Sequence, residues 1–247
     1  MFRTSNPALK RGAFSEHARI IDEAHTMTIQ GTINKIGILF VFLFLTAGWT
    51  WHVFSTRGVP AVMPYLVVGV IGGLIFALIT IFKRSWAPFT APVYAALEGL
   101  VIGGLSAILE AEFEGIVLQA VGLTFGVLVA MFFIYKARII KVTGKFITGV
   151  LIATGGVFLM YLATFVLGLF GVRMPYIHEG GTVGILISAG IIIIASLNLL
   201  LDFHLIEKGA ERGAPKQMEW YGAFALIVTM IWLYIEILRL LSMIRSR

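Results

Sequence analysis

The stretch that decides the fold reads TVGILISAGIIIIASLNLLLDFHLIEKG (182–209), AERGAPKQM (210–218) and EWYGAFALIVTMIWLYIEILRLL (219–241). The outer segments are each long and apolar enough for an α-helix to cross about 30 Å of hydrocarbon. The middle segment is charged and holds Pro215. Two membrane-spanning helices joined by a polar link are therefore expected. Two acids interrupt them, Asp202 near the end of the first and Glu236 well inside the second. An ionisable side chain within a span costs about 2.5–3.5 kcal/mol on insertion scales, which makes each a functional candidate. The plainer alternatives are that Asp202 sits at the membrane edge and that Glu236 pairs with Arg239, one helical turn along.

The rest of the chain has the same character. Of its 247 residues 59% are hydrophobic and 13% charged, with a mean hydropathy of +0.95. A soluble domain of this composition could not cover its surface with polar groups. An all-α polytopic membrane protein, a bundle of seven transmembrane helices, is the expected class. The absence of cysteine excludes disulfides, thiol catalysis and cysteine-ligated metal. The net charge of +6 is assigned to positive-inside loops, not to nucleic-acid binding.

Residues 1–35 are a mixed-charge, cytoplasmic N-terminal segment in which FSEHARIIDEAHTM has the spacing of a short surface helix. Residues 36–247 form the seven-helix domain, with spans expected at 36–56, 61–82, 92–110, 115–135, 146–170, 182–206 and 219–242. No cleavable signal precedes the first span, which acts as its own insertion signal. With the N-terminus inside, the inner segments hold fourteen of the 19 Lys and Arg. These are Arg3, Lys10, Arg11, Arg19 and Lys35, then Lys83 and Arg84, then Lys136, Arg138, Lys141 and Lys145, then Lys208, Arg212 and Lys216. The outer segments hold Arg57, Arg173, Arg239, Arg245 and Arg247. The bias predicts an inner, cytoplasmic N-terminus and an outer C-terminus. A re-entrant last helix would instead return the basic tail to the inside. Trp86, Trp220 and Tyr221 fall at the inner interface and Trp49 and Trp51 towards the outer one. Gly69/Gly73, Gly99/Gly103 and Gly122/Gly126 are small-residue pairs at the spacing that lets helices approach closely in lipid.

Motifs for chemistry are missing. There is no HExxH, serine elbow, Walker lysine or lysine in the last helix, so no enzymatic reaction is expected. Ionisable groups at membrane depth remain. Glu98, about 9 Å into the third span, falls at a level similar to that of Asp202. Two carboxylates in a poorly solvated site raise one another's proton affinity and can hold a divalent cation through oxygen. The plainer role for Glu98 is a hydrogen bond to a neighbouring helix or backbone. Glu236 lies about 25 Å from the inner face, which argues against its direct contact with Asp202. Glu219 is nearer by depth, although an acid there also suits the dipole of its own helix. His204 flanks Asp202 as a pH-responsive candidate or a plain boundary residue. Glu110, Glu112 and Glu114 form an acidic outer link that either concentrates cations or is simply solvated.

LLLDFHLIE closing the sixth helix, then a charged link, then WLYIEILRLL, resembles the Bax inhibitor-1 family. VYAALEGLVIGGLSAILEAEFEGIVLQAV and the opening SNPALKRGAF look like a bacterial branch of that family. The resemblance implies seven helices with the last one central. It also implies a pH-sensitive calcium leak governed by two aspartates on the sixth and seventh helices. Asp202 matches the first. Matching LYIEIL to the family's LYLDII places Glu236 at the second, so Asp202 and Glu236 are the acids a calcium ion would contact. Here Glu replaces Asp, and 34 positions separate the two acids, more than the family's usual spacing. Aligning the starts of the last helix instead leaves Met230 at the acidic position, with Glu219 near the helix start.

The function expected is a calcium or cation leak gated by Asp202, with Glu98 and either Glu236 or Glu219 as its partners and His204 as a flanking pH-sensing candidate. No cofactor is expected apart from the calcium that passes. The other class of function is a non-transporting regulator that binds a membrane protease or stress-response partner, with residues 1–35 as its recognition segment. A proton-coupled transporter ranks last, because no broken helix pair marks a midplane substrate site.

Overall fold

The computed structural model describes residues 25–171 and 181–246. The surface helix expected within 14–27 lies almost wholly outside them. The described residues fold into seven long helices: α1 (Ile29–Arg57), α2 (Val59–Phe82), α3 (Ala87–Glu112), α4 (Ile116–Lys136), α5 (Gly144–Leu169), α6 (Thr182–Glu211) and α7 (Met218–Arg245). All seven are long and apolar enough to span a bilayer. The protein is an all-α integral membrane protein, and its expected spans recur within a few residues. The largest difference is at α1, which begins at Ile29. Gln30, Asn34 and Lys35 are polar, so hydropathy misses the first two turns, but Thr28 caps them: its Oγ1 accepts from Gly31 N at 2.9 Å.

Links are short because their residues suit the turns. Gly58 has φ 72° and Gly115 φ 77°, left-handed values that cost glycine little. Gly58 lets α2 start one residue after α1 ends, with Pro60 in the first turn, where a missing N–H does little harm. Gly115 opens α4, whose first amides are taken by the Glu110 carboxylate: Gly115 N at 2.6 Å and Val117 N at 2.9 Å. Glu110 is thus a helix cap, while Glu112 and Glu114 are exposed.

The last helix is the axis of the bundle. In its most apolar window 61% of residues are buried, against 11–39% in the other six. It packs against α1, α3, α4 and α6, while α2 leans on α3 and α5 on α6. Its Leu226, Met230, Leu233, Ile237 and Leu238 meet Leu199 and Leu200 of α6 and Ile116 and Ala120 of α4 in the main core. The outer faces carry exposed Val67, Ile71 and Leu74 on α2 and Ile152, Phe158 and Leu159 on α5. Apolar surface of this extent calls for lipid.

Two glycine pairs act as expected and one does not. A Cβ on Gly69 would lie 2.7 Å from Leu97 O, and Cβ atoms on Gly99 and Gly103 would overlap the carbonyls of Leu43 and Ala47. These faces seat α3 on α2 and α1 at backbone distance. Gly122 and Gly126 meet nothing within 4 Å; four-residue spacing alone does not say which face has a neighbour.

α7 runs without interruption for 28 residues, about 42 Å, so a re-entrant last helix is excluded. Arg245 at its far end donates to Glu114 O at 2.6 Å and to Gln119 Oε1 at 2.9 Å, tying the C-terminus to the α3–α4 link. At the opposite end, cations lie over aromatic rings around the start of α7: Lys35 on Trp220 at 5.3 Å, Arg84 on Tyr221 at 5.1 Å and Lys83 on Trp86 at 4.4 Å. Such amphipathic pairs suit a membrane interface.

Candidate functional site

The five singled-out side chains do not come together, and each faces different neighbours. Asp202 lies nine residues before the end of α6, about 14 Å along its axis, on the face turned to α7, where the Thr229 hydroxyl stands against its carboxyl. Thr229 is itself engaged with Ala225 O at 3.3 Å. The Asp202 Oδ2 is buried with no hydrogen-bond partner, and none of the ion pairs among the described residues involves Asp202. Immediately above it lie Leu199 and Leu200, both fully buried. A carboxyl group is thus held beneath a sealed apolar layer with one oxygen unsatisfied. In its charged form that oxygen requires water or a cation, since an uncompensated buried charge costs several kcal/mol.

Glu236 is the opposite case. It is 3% exposed, yet it accepts from the Tyr161 hydroxyl of α5 and from Ser188 Oγ of α6 at 3.5 Å. Arg239 Nη1 stands 3.8 Å from its Oε2 and donates to Tyr161 Oη at 2.9 Å. The Arg239 pairing weighed from the sequence is present, within a four-residue knot that joins three helices. Ser188 is fourteen residues from Asp202 along α6, about 21 Å, and Thr229 is seven from Glu236 along α7, about 10 Å. The two acids are at different levels and do not meet.

Glu98 is directed to α2. A Cβ on Gly73 would lie 2.7 Å from its Oε1, and the Tyr94 hydroxyl, one turn back on α3, faces its carboxyl. The Tyr94 ring packs edge-on against Phe224 of α7 at 5.0 Å. α3 and α6 share no extensive packing, so Glu98 and Asp202 are similar in depth but on different sides of the bundle.

Glu219 joins the start of α7 to the start of α1. Its fully buried side chain accepts from Thr28 N at 3.0 Å and Thr28 Oγ1 at 2.9 Å, and pairs with Lys216 at 2.9 Å. Its Oε2 is buried without a partner, but the charge is met by a cation and by the N-terminal amides of α1, where an anion is favoured. A Cβ on Gly31 would overlap its Oε1. Beside it Met27 N donates to Ala214 O at 2.7 Å and Lys216 N to His25 O at 3.0 Å, so residues before α1 are clasped to the α6–α7 link. Sequence reasoning placed Glu219 on the dipole of its own helix; it caps a different one, 191 positions away.

His204, two residues after Asp202, turns to α4. Its Nδ1 lies 3.5 Å from Tyr135 Oη, which donates to Glu207. Tyr135, Tyr161 and Ser188 were missed from the sequence. A tyrosine in an apolar helix has no periodicity of its own, and only the packing shows which acid it meets.

Among the described residues no group of three or more His, Asp or Glu is arranged to hold a metal ion. No curated protein and no solved structure matches the chain. The model of the family described as Bax inhibitor 1 like matches residues 6–246, and the chain belongs to that family.

Proposed function

We propose that the protein is a passive, non-enzymatic leak for calcium or similar cations, gated by protonation of Asp202. The observation that carries this reading is the buried, unpartnered Oδ2 of Asp202 between α6 and the central helix. The other membrane-embedded acids have partners suited to structure: Arg239, Tyr161 and Ser188 for Glu236, Lys216 and Thr28 for Glu219. Asp202 pairs an unpartnered chargeable oxygen with a neighbouring apolar cluster that includes Leu199, Leu200 and Leu233, all buried. Protonated, it is compatible with the sealed packing described here. Deprotonated, it draws in water or a cation and favours separation of α6 from α7. The Lys and Arg bias puts this end of the bundle at the cytoplasmic face.

The test is calcium flux into proteoliposomes at pH 6 and pH 8, for the native protein and Asp202→Asn. Flux that changes with pH in the native protein and not in the variant supports the gate. Background flux in all four conditions overturns it. The alternative reading, a regulator that binds a membrane-protein partner, draws support from the clasp between His25–Met27 and Ala214–Lys216, which fixes His25 to Met27 at the end of the bundle where α1 begins. Under that reading, deletion of residues 1–24 abolishes activity in cells while Asp202→Asn leaves it intact.

A further inference from the structure

A cavity of about 700 Å³ opens at the end of the bundle where α1 begins, between α1, α4 and α6. Asp202 does not line it, and it has two chemically different parts. Its body is apolar: Ile29 and Ile33 of α1, Val129 and Phe132 of α4, and Leu226 of α7 line it. Ile29, Ile33, Val129 and Phe132 are 44–52% exposed, so this wall is open on the outer surface of the bundle. Two turns further into the membrane the gap between α1 and α4 is closed by Phe40 against Phe125, ring centroids 5.8 Å apart. Seven residues separate Ile33 from Phe40 and Phe125 from Phe132, so the opening is about 10 Å deep.

The rim is basic. Lys136, Arg138, Lys141 and Lys208 line it, with Glu207 as the acid among them. Glu207 is engaged by Tyr135, and Lys208 pairs with Glu211. Lys136, Arg138 and Lys141 enter no ion pair among the described residues. Arg138 has φ 53°, a left-handed conformation unusual for a residue with a side chain, in the tight turn that puts all three cations at the mouth.

We propose that this cavity is a binding site for an anionic phospholipid of the surrounding leaflet. One acyl chain enters between α1 and α4 on Ile33, Val129 and Phe132, and the phosphodiester is held by Lys136, Arg138 and Lys141. A lateral opening of this depth at the interface fits the upper part of a chain, and a basic rim at headgroup level selects negative charge. A water-soluble anion would gain nothing from the apolar walls. Residues 1–24 are a poor occupant, because Arg3, Lys10, Arg11 and Arg19 outnumber Glu16, Asp22 and Glu23 and repel the rim.

The test is native mass spectrometry of the full chain in detergent, titrated with dioleoylphosphatidylglycerol or dioleoylphosphatidylcholine and read as the apparent affinity of the first bound lipid. Three cations at about 1 kcal/mol each imply a preference for phosphatidylglycerol on the order of 100-fold. The preference is lost in the combined variant Lys136→Gln, Arg138→Gly, Lys141→Gln. Val129→Trp, at an exposed position, fills the chain slot and weakens phosphatidylglycerol binding at least tenfold with the rim intact. Equal affinity for the two lipids, a preference surviving the rim variant, native binding by Val129→Trp, or displacement of the lipid by millimolar inorganic phosphate would each overturn the assignment.

Discussion

Replacing Glu219 with alanine tests the clasp between the two ends of the chain's helical domain. The carboxylate accepts two hydrogen bonds from Thr28, at 3.0 and 2.9 Å. Hydrogen bonds to a charged group contribute about 1.5–3 kcal/mol each. Its ion pair with Lys216 adds little, because the lysine side chain is 46% exposed. Water entering the vacated site recovers part of the loss, which leaves about 3 kcal/mol. The remaining contacts of α1 with α3 and α7 are untouched, so the loss falls on the first turn of α1 and not on the whole bundle. Hydrogen exchange of the detergent-solubilised protein reads this directly: amides of Thr28 to Thr32 exchange about 100-fold faster, and those of Met27 and Lys216 accelerate with them. Glu219→Gln keeps an acceptor without the charge and gives a smaller effect, about tenfold. Gly31→Ala leaves the acid in place but drives a Cβ into its Oε1, so it speeds exchange over the same amides. Rates in Thr28–Thr32 within threefold of native for Glu219→Ala would refute the cap.

The knot around Glu236 predicts that Arg239→Met lowers stability by about 3–5 kcal/mol, because a buried acid loses its cation. Tyr161→Phe costs about 1–3 kcal/mol; thermal melts in detergent with neither variant shifted would remove the knot from the account. Among the glycines, Gly103→Ala forces a Cβ onto Ala47 O and destabilises by several kcal/mol through overpacking. Gly122→Ala, with nothing within 4 Å, is neutral or stabilises by about 0.5–1 kcal/mol. Equal melting shifts for the two would show that α1 and α3 do not pack at backbone distance.

The sequence by itself determined the membrane class, the number of helices and their ends to within a turn or two. Those properties follow from local quantities: apolar length against bilayer thickness, and polar or glycine residues where helices must stop. It also singled out Asp202, Glu236, Glu98 and Glu219, because an acid in an apolar run stands out wherever the run lies. It did not determine which acids have partners. Hydropathy and spacing give depth along a helix but not the direction in which a side chain points, so Glu98 and Asp202 read as neighbours although one faces α2 and the other α7. Only tertiary packing brought Tyr161, Ser188 and Arg239 to Glu236, carried Thr28 to Glu219 across 191 positions, and left Asp202 with an unsatisfied oxygen. Those pairings depend on the azimuth of each helix within the bundle, and azimuth is set by close packing such as that of Gly99 and Gly103 on α1. No single segment of the chain encodes it.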